Sequence, residues 1–172
     1  MLPALDEFLL HLQAANYSPR TIYNYERDLL VFQRFLDESH FDFAQLSKRE
    51  ITYYKAYLAS SDRETASGDH PQSQMLDARS VNRMLSALRS YLKFLIDRDL
   101  PCPLAPDAIQ LTKATRKHPQ VAELDALTAL VESPSRFESD ARVAARNRAM
   151  LEVLLATGMR ISELCGLRRV QI

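Results

Sequence analysis

The sequence has no tryptophan, only three glycines and only two cysteines in 172 residues. Because so few glycines can support few of the tight turns that join β-hairpins, an all-β fold is not expected. Cys102 and Cys165 are far apart and lack metal-ligand spacing, which argues against a disulfide framework or a zinc site and favours the cytoplasm. No apolar run approaches the roughly 20 residues of a membrane span, and no basic flank marks a signal peptide. These absences predict a soluble, mainly helical protein.

The formal net charge is zero, but the charges are unevenly distributed along the chain. Residues 1–78 carry seven basic and twelve acidic side chains, whereas residues 79–172 carry fifteen basic and ten acidic ones. Clustered bases are typical of a surface that binds a polyanion, although a solvated helix face explains the same pattern. The densest cluster has one acid, Asp97, among five bases: Arg79, Arg83, Arg89, Lys93 and Arg98.

Apolar residues at helical spacing predict four helices in the first hundred residues, at about 3–15, 19–38, 47–58 and 78–98. Ser18 precedes a proline, as expected of an N-cap followed by proline at the first helical position. Ser47 and Glu50 have the spacing of a capping box, which opens the third helix. The polar segment 60–77 is predicted to be a surface loop.

Prolines are concentrated in residues 101–120, where four of them predict a stiff, extended linker. The same segment carries a basic cluster of Lys113, Arg116 and Lys117. Beyond it the spacing predicts helices at about 123–131, 140–157 and 160–165, with Gly158 as a left-handed helix end. A strand could begin at residues 170–172. We therefore expect a domain at 1–100, the linker at 101–120, and a second, incomplete domain at 121–172.

Most sequence motifs of enzymes are absent. There is no P-loop, GxGxxG, HExxH or Gly-x-Ser-x-Gly motif, and the four histidines are scattered without metal-ligand spacing. Arg160 follows the helix-ending glycine and begins the next helix, where an arginine can grip an anion together with backbone N–H groups. An ion pair with Glu163, three residues later, accounts for the same arginine equally well.

Four segments together resemble the tyrosine site-specific recombinases, a family that includes the Xer recombinases and the phage integrases. Residues 154–167 (LLATGMRISELCGL) look like the segment that carries the family's first catalytic arginine, and residues 148–152 (RAMLE) like the helix that leads into it. Residues 17–29 (YSPRTIYNYERDL) and 79–95 (RSVNRMLSALRSYLKFL) are similar to the first part and the last long helix of its core-binding domain. The resemblance covers essentially the whole chain.

The resemblance implies an all-α chain: a four-helix core-binding (SAM-like) domain, a linker, and the first helices of a mainly helical catalytic domain. It implies DNA recombination in which a tyrosine attacks the scissile phosphate and forms a 3′-phosphotyrosyl link, with neither metal nor cofactor. The implied partners are double-stranded DNA and recombinase subunits, identical or paralogous, that form a tetramer on two DNA sites. Chromosome-dimer resolution, phage integration and cassette movement all remain open as the biological role.

The resemblance also implies roles for individual residues. Arg160 takes the catalytic role, with Gly158 and Glu163 as structural neighbours. In the family, the second and fourth helices lie against the major groove, while linker bases follow the DNA backbone. The implied DNA contacts are Arg20, Thr21, Tyr25, Arg79, Asn82, Arg83, Ser86, Arg89, Lys93, Lys113, Arg116 and Lys117.

The sequence departs from the family pattern in one large respect. All seven tyrosines lie between residues 17 and 91, and none matches the position of the nucleophile. We therefore expect the chain to be an N-terminal fragment that binds DNA weakly and does not cut it. The alternatives are a truncated DNA-binding module or regulator without catalytic activity, and a helical interaction protein unrelated to DNA.

Overall fold

The computed structural model describes residues 1–60, 76–114 and 121–168, and all the regular elements in these ranges are helical. The all-α prediction is therefore confirmed. The chain divides into two compact units, Met1–Arg116 and Lys117–Ile172. Unit 1 contains helices α1 (Leu5–Ala14), α2 (Pro19–Glu38), α3 (Lys48–Ala59) and α4 (Ala78–Asp97). Most of the loop predicted at 60–77 and the strand predicted to begin at 170–172 lie outside the described residues.

Three helices of unit 1, α2, α3 and α4, begin at side-chain caps. The Ser18 hydroxyl accepts a hydrogen bond from the backbone N–H of Thr21 (3.1 Å), and Pro19 is the first residue of α2. At α3, the backbone N–H of Ser47 donates to the Glu50 carboxylate (2.9 Å), which confirms the predicted capping box. At α4, the Asp77 carboxylate accepts a hydrogen bond from the backbone N–H of Ser80 (2.8 Å). These caps pair backbone donors that the first turn of a helix leaves unpaired.

Helix α4 provides the centre of the core of unit 1. Its apolar stripe is buried as the spacing predicts, and α2 and α3 both pack against it. Tyr91 is fully buried within this stripe and donates its hydroxyl hydrogen bond to the backbone carbonyl of Pro3. Burial raises the pKa of the Tyr91 hydroxyl above its ordinary value, and the nearby Cys102 adds to the effect. The stripe consists of Val81, Leu85, Leu88, Leu92 and Leu95.

Residues 101–114, the described part of the predicted linker, pack against the helices of unit 1. The prolines do prevent a continuous helix, but a short 3₁₀ helix forms at Pro106–Ala108. Ile109 is completely buried in the core, and Leu104 packs against it in part. Burial of the apolar side chains of this segment stabilises the packed conformation, because an extended linker would leave their surface in water. Residues 115–120 lie outside the described part of the chain.

Unit 2 contains α5 (Leu124–Glu132), α6 (Pro134–Phe137), α7 (Ala141–Thr157) and α8 (Ile161–Cys165). The predicted helices are present, and α6 is a short addition that begins at a proline. Gly158 ends α7 with a φ of 65°, which confirms the predicted left-handed conformation. No helix in the described ranges is both long and apolar enough to cross a membrane.

The described part of unit 2 buries few side chains. Pro134, Ala144 and Leu164 are the buried residues of its helices. Large apolar side chains remain exposed, among them Phe137 at 85 % and Leu124 at 73 %. Buried apolar area is the main source of stability in a folded domain. Unit 2 therefore has a much smaller hydrophobic core than unit 1.

Candidate nucleic-acid interface

A shallow groove runs between α2 and α4 on the surface of unit 1. Helices α2 and α4 pack against each other directly, and the groove between them has a volume of about 210 Å³. Residues 21, 25 and 28 of α2 and residues 83 and 86 of α4 meet there because they recur at helical spacing. The groove is lined by Thr21, Asn24, Tyr25, Asp28, Arg83, Ser86 and Ala87. Four of these residues were predicted to contact DNA: Thr21, Tyr25, Arg83 and Ser86.

An ion pair joins the two helices inside the groove. Asp28 is buried, at 3 % exposure, and its carboxylate accepts a hydrogen bond from Nη1 of Arg83, whose side chain is 44 % exposed. Burial raises the pKa of the Asp28 carboxyl above its ordinary value, against the opposing effects of Arg83 and of the positive charge on Arg27. Arg83 is therefore fixed to the fold at one edge of its guanidinium and open to solvent elsewhere.

Tyr25 links the groove to the core. Its hydroxyl lies 3.4 Å from the hydroxyl of Ser90, and its ring makes an edge contact with Phe8 at a centroid distance of 5.7 Å. Thr21 is half-buried, and its hydroxyl lies 2.8 Å from that of Ser18. Arg20 is exposed one residue earlier, with its guanidinium over the ring of Tyr23. Thr21 and Tyr25 thus line the groove, while Arg20 lies outside its lining.

The remaining bases of α4 continue the same face toward its C-terminus. Ser86, Arg89 and Lys93 line a second depression that also includes Asp107. Arg89 pairs with Asp107 through Nη2 at 2.9 Å, and the side chain of Asp107 is 96 % exposed. Because exposed ion pairs contribute about 0–1 kcal/mol, a phosphate could replace Asp107 at little cost. Arg79 and Lys93 are exposed at either end of this face.

Asn82 makes a different set of contacts from those expected of a base-reading residue. Its carboxamide oxygen accepts hydrogen bonds from the backbone N–H (2.7 Å) and the hydroxyl (2.8 Å) of Thr112. Its carboxamide nitrogen donates to the backbone carbonyl of Thr112 at 2.8 Å. Three hydrogen bonds therefore fasten the chain after α4 to the helix, and contact with an adenine edge would require Asn82 to break them.

We expect Asn82→Ala to loosen residues 101–114 without unfolding unit 1. The substitution removes three hydrogen bonds, each worth roughly 0.5–1.5 kcal/mol, while the buried Ile109 still holds the segment. Limited trypsin digestion should therefore cut faster after Lys113. Gln110→Ala, at an exposed position in the same segment, provides the control and should digest like the wild type. Equal digestion rates for all three proteins would contradict the anchoring role.

Two of the predicted linker bases cannot be placed. Arg116 and Lys117 lie outside the described residues, whereas Lys113 is exposed directly after Thr112. Because Asn82 holds Thr112, Lys113 directly follows a point that is fixed near the first turn of α4.

Arg160 is the N-terminal flanking residue of α8 and its side chain is 82 % exposed. Nη1 of Arg160 donates to the Glu163 carboxylate at 3.0 Å, and the backbone N–H of Arg160 donates to the same carboxylate at 2.7 Å. The ion pair between Arg160 and Glu163, which the sequence offered as the alternative to phosphate binding, is therefore present. An exposed pair of this kind contributes about 0–1 kcal/mol, so its presence leaves the guanidinium accessible to a phosphate.

The role of Asp28 was not predicted from the sequence. This acid lies one residue before Leu29, inside the apolar stripe of α2, and an acidic residue at such a position is a signal for a buried ion pair. Asn24, four residues before Asp28, also lines the groove and was not predicted. No group of three or more potential metal ligands occurs in residues 1–60, 76–114 or 121–168.

Two family models match the chain in succession. Residues 5–99 match the phage integrase N-terminal SAM-like domain, and residues 120–172 match the phage integrase family. The first match covers α1 to α4, including the groove, and the second covers Arg160. No solved structure matches the chain.

Curated relatives are similar over nearly the whole chain. A tyrosine recombinase XerC of Xanthomonas axonopodis is 35 % identical over 97 % of this chain and 53 % of the relative. A XerC of Halalkalibacterium halodurans is 33 % identical over 94 % of this chain and 48 % of the relative. A tyrosine recombinase XerD of Rickettsia conorii is 30 % identical over 90 % of this chain and 46 % of the relative. The chain thus spans about half the length of these relatives, and it belongs to the phage integrase family of tyrosine recombinases.

Proposed function

We propose that this chain provides the DNA-binding domain and the first catalytic arginine of a site-specific DNA recombinase. The observation that carries the proposal is the succession of the two family matches, because it assigns the α2–α4 groove to the first match and Arg160 to the second. We assign residues 1–100 to the core-binding domain, 101–120 to the linker and 121–172 to the first part of the catalytic domain. The three relatives are named tyrosine recombinases, which supports the same reaction class.

The α2–α4 face is the proposed surface for double-stranded DNA. Arginine donors suit guanine edges in the major groove, whereas serine, threonine and lysine more often contact phosphates. The exposed bases Arg79 and Lys93 are placed to neutralise phosphates at the two ends of the face. The proposed contacts along this surface are Arg20, Thr21, Tyr25, Arg79, Arg83, Ser86, Arg89, Lys93 and Lys113. Arg116 and Lys117, which lie outside the described residues, are proposed to contact the DNA backbone.

The proposed reaction is a phosphoryl transfer without a metal ion. A tyrosine hydroxyl attacks the scissile phosphorus, the bond to the 5′-oxygen breaks, and the 5′-hydroxyl leaves with a proton. The same kind of hydroxyl on the partner strand then attacks the phosphotyrosyl link and releases the tyrosine. Arg160 binds the phosphate oxygens, where a positioned cation stabilises the charge that develops in the transition state.

The 172-residue chain is proposed to bind DNA and to leave it uncut. Each of its tyrosines lies in residues 17–91, within the part assigned to DNA binding. The same proposal places the protein in the cytoplasm, acting as a tetramer of identical or paralogous recombinase subunits on two DNA sites. A DNA-binding module or regulator without catalysis shares the groove but has no use for Arg160.

Formation of a covalent complex tests this proposal. Translation of the reading frame beyond residue 172 should give a lysine, a His-x-x-Arg block and a tyrosine in that order. The protein made from that frame should attach covalently to the 3′-phosphate of a nicked duplex, while the 172-residue chain should only bind it. A frame without these residues, or a longer protein that binds the duplex without attachment, would favour the module without catalysis.

A further inference from the structure

Asp28 is the one charged side chain that is buried among the described residues. It lies on the α2 side of the groove and is paired with Arg83 of α4, 55 positions later in the chain. Buried carboxylates lose their hydration, and this burial raises the pKa of Asp28 although Arg83 and Arg27 act to lower it. The pair is therefore a costly way to join two helices.

Stability alone gives a weak reason for such a pair. Apolar residues of similar size hold helices together at least as well as buried ion pairs do. Helices α2 and α4 already pack together, and each contributes fully buried apolar residues to the same core, among them Leu29, Phe32 and Leu88. The ion pair instead fixes the direction of one exposed side chain, that of Arg83.

The geometry of Arg83 is better suited to a directional contact with a base edge than to a non-directional contact with a phosphate. A guanidinium has five N–H donors in a planar fork, and Asp28 is bonded through Nη1. The remaining donors belong to a side chain that lines the groove and is 44 % exposed. A guanine edge needs two donors in one plane at a set orientation, whereas a phosphate accepts donors from many directions.

We infer that Asp28 is a positioning residue that holds the Arg83 guanidinium in the plane needed to select a guanine in the DNA major groove. The inference rests on the proposed function, because it takes the α2–α4 face to be the DNA surface. Asp28 itself contacts no DNA. Its role is to reduce the conformational freedom of the Arg83 side chain before binding. The affinity for the correct base pair then rises relative to the affinity for the other three.

The test compares specific with non-specific binding by the 172-residue chain. A duplex selected from a randomised pool by the wild-type chain is the specific probe, and the same duplex with its sequence scrambled is the reference. Asp28→Asn should lower the ratio of the two affinities at least fivefold, with the loss confined to one G·C pair of the selected site. Arg83→Lys, which keeps the charge but lacks the fork, should lose the same preference.

Charge provides the control. Asp28→Asn removes a negative charge near the DNA, which by itself strengthens binding to every duplex. Glu26→Gln, at an exposed position on the same helix, removes the same charge and should leave the ratio unchanged. Thermal unfolding of each variant shows whether the fold is retained. If Asp28→Asn does not fold, Asp28→Glu tests the inference, because it keeps the charge but moves the carboxylate and should also lower the ratio.

The outcomes separate the inference from the proposed function. If the wild-type chain binds no duplex, the proposed function fails first. If the wild type binds selectively and Asp28→Asn keeps the wild-type ratio, the positioning role is overturned and the DNA surface stands. Equal weakening on both duplexes would also overturn it, because Asp28 would then only support the fold.

Discussion

Replacement of Arg160 by alanine in the proposed longer protein should reduce cleavage of a nicked duplex by about 10²–10³-fold while site binding changes little. The cleavage step depends on a few donors at one phosphate, whereas affinity is spread over many contacts to phosphates and grooves. Arg160→Lys should also fail, because an ammonium cannot reproduce the planar, two-oxygen contact of a guanidinium. Cleavage and thermal unfolding are to be measured on the same protein samples.

Arg148 provides a matched control in the same unit. It is also exposed and pairs with a carboxylate, Glu152, at 2.9 Å, as Arg160 does with Glu163 at 3.0 Å. Arg148→Ala should therefore lose a comparable surface ion pair and retain cleavage. An Arg160→Ala protein that melts earlier but still cleaves would assign Arg160 to structure and withdraw its catalytic role.

Arg83→Ala should weaken the fold and DNA binding together. The substitution leaves the buried Asp28 without its arginine, and an unsatisfied buried acceptor costs about 1–3 kcal/mol. Loss of a bidentate base contact should reduce DNA affinity by a further ~1–3 kcal/mol.

The stability deficit of Arg83→Ala should depend on pH. Without Arg83, Asp28 loses the hydrogen bond and the charge that lower its pKa, so burial raises that pKa further. Between the pKa of Asp28 in the unfolded chain and its higher pKa in the folded chain, the folded chain holds a proton that the unfolded chain releases. The free energy of unfolding therefore falls as the pH rises from the first pKa to the second. The deficit should thus be small below the ordinary range of a carboxyl and largest near neutral pH.

A double substitution checks the assignment. Asp28→Asn combined with Arg83→Ala should recover much of the lost stability at neutral pH, because no charged group remains buried. The free energy of unfolding from urea titrations at two pH values measures the effect. A pH-independent deficit, or no recovery in the double variant, would show that Arg83 supports the fold through its packing and not through Asp28.

The sequence predicted the local features of unit 1 well because their signals are local. The stripe from Val81 to Leu95 and the caps at Ser18 and Ser47 depend on residues within a few turns of one helix, and the structure contains each of them. Gly158 of unit 2 is a further local feature that was predicted, since its left-handed conformation ends α7 where the helical pattern stops.

The pairings that define the groove could not be predicted from spacing. Asp28 meets Arg83 across 55 positions, and Asn82 meets Thr112 across 30. These partners depend on how α2 and the chain after α4 pack on α4, and helical periodicity carries no information on that packing. The resemblance assigned Asn82 and Arg83 to one DNA face, whereas their contacts give them different surroundings.

The most direct test of the account is the salt dependence of duplex binding by the 172-residue chain. We predict binding whose affinity falls linearly with salt on logarithmic scales, with a slope of about −0.9 per phosphate contact. Arg79→Ala should reduce the magnitude of that slope by about one contact, whereas Lys48→Ala, at an exposed base that begins α3, should leave it unchanged. Absence of duplex binding, or equal slopes for the wild type and Arg79→Ala, would contradict the assignment of the α4 face to DNA.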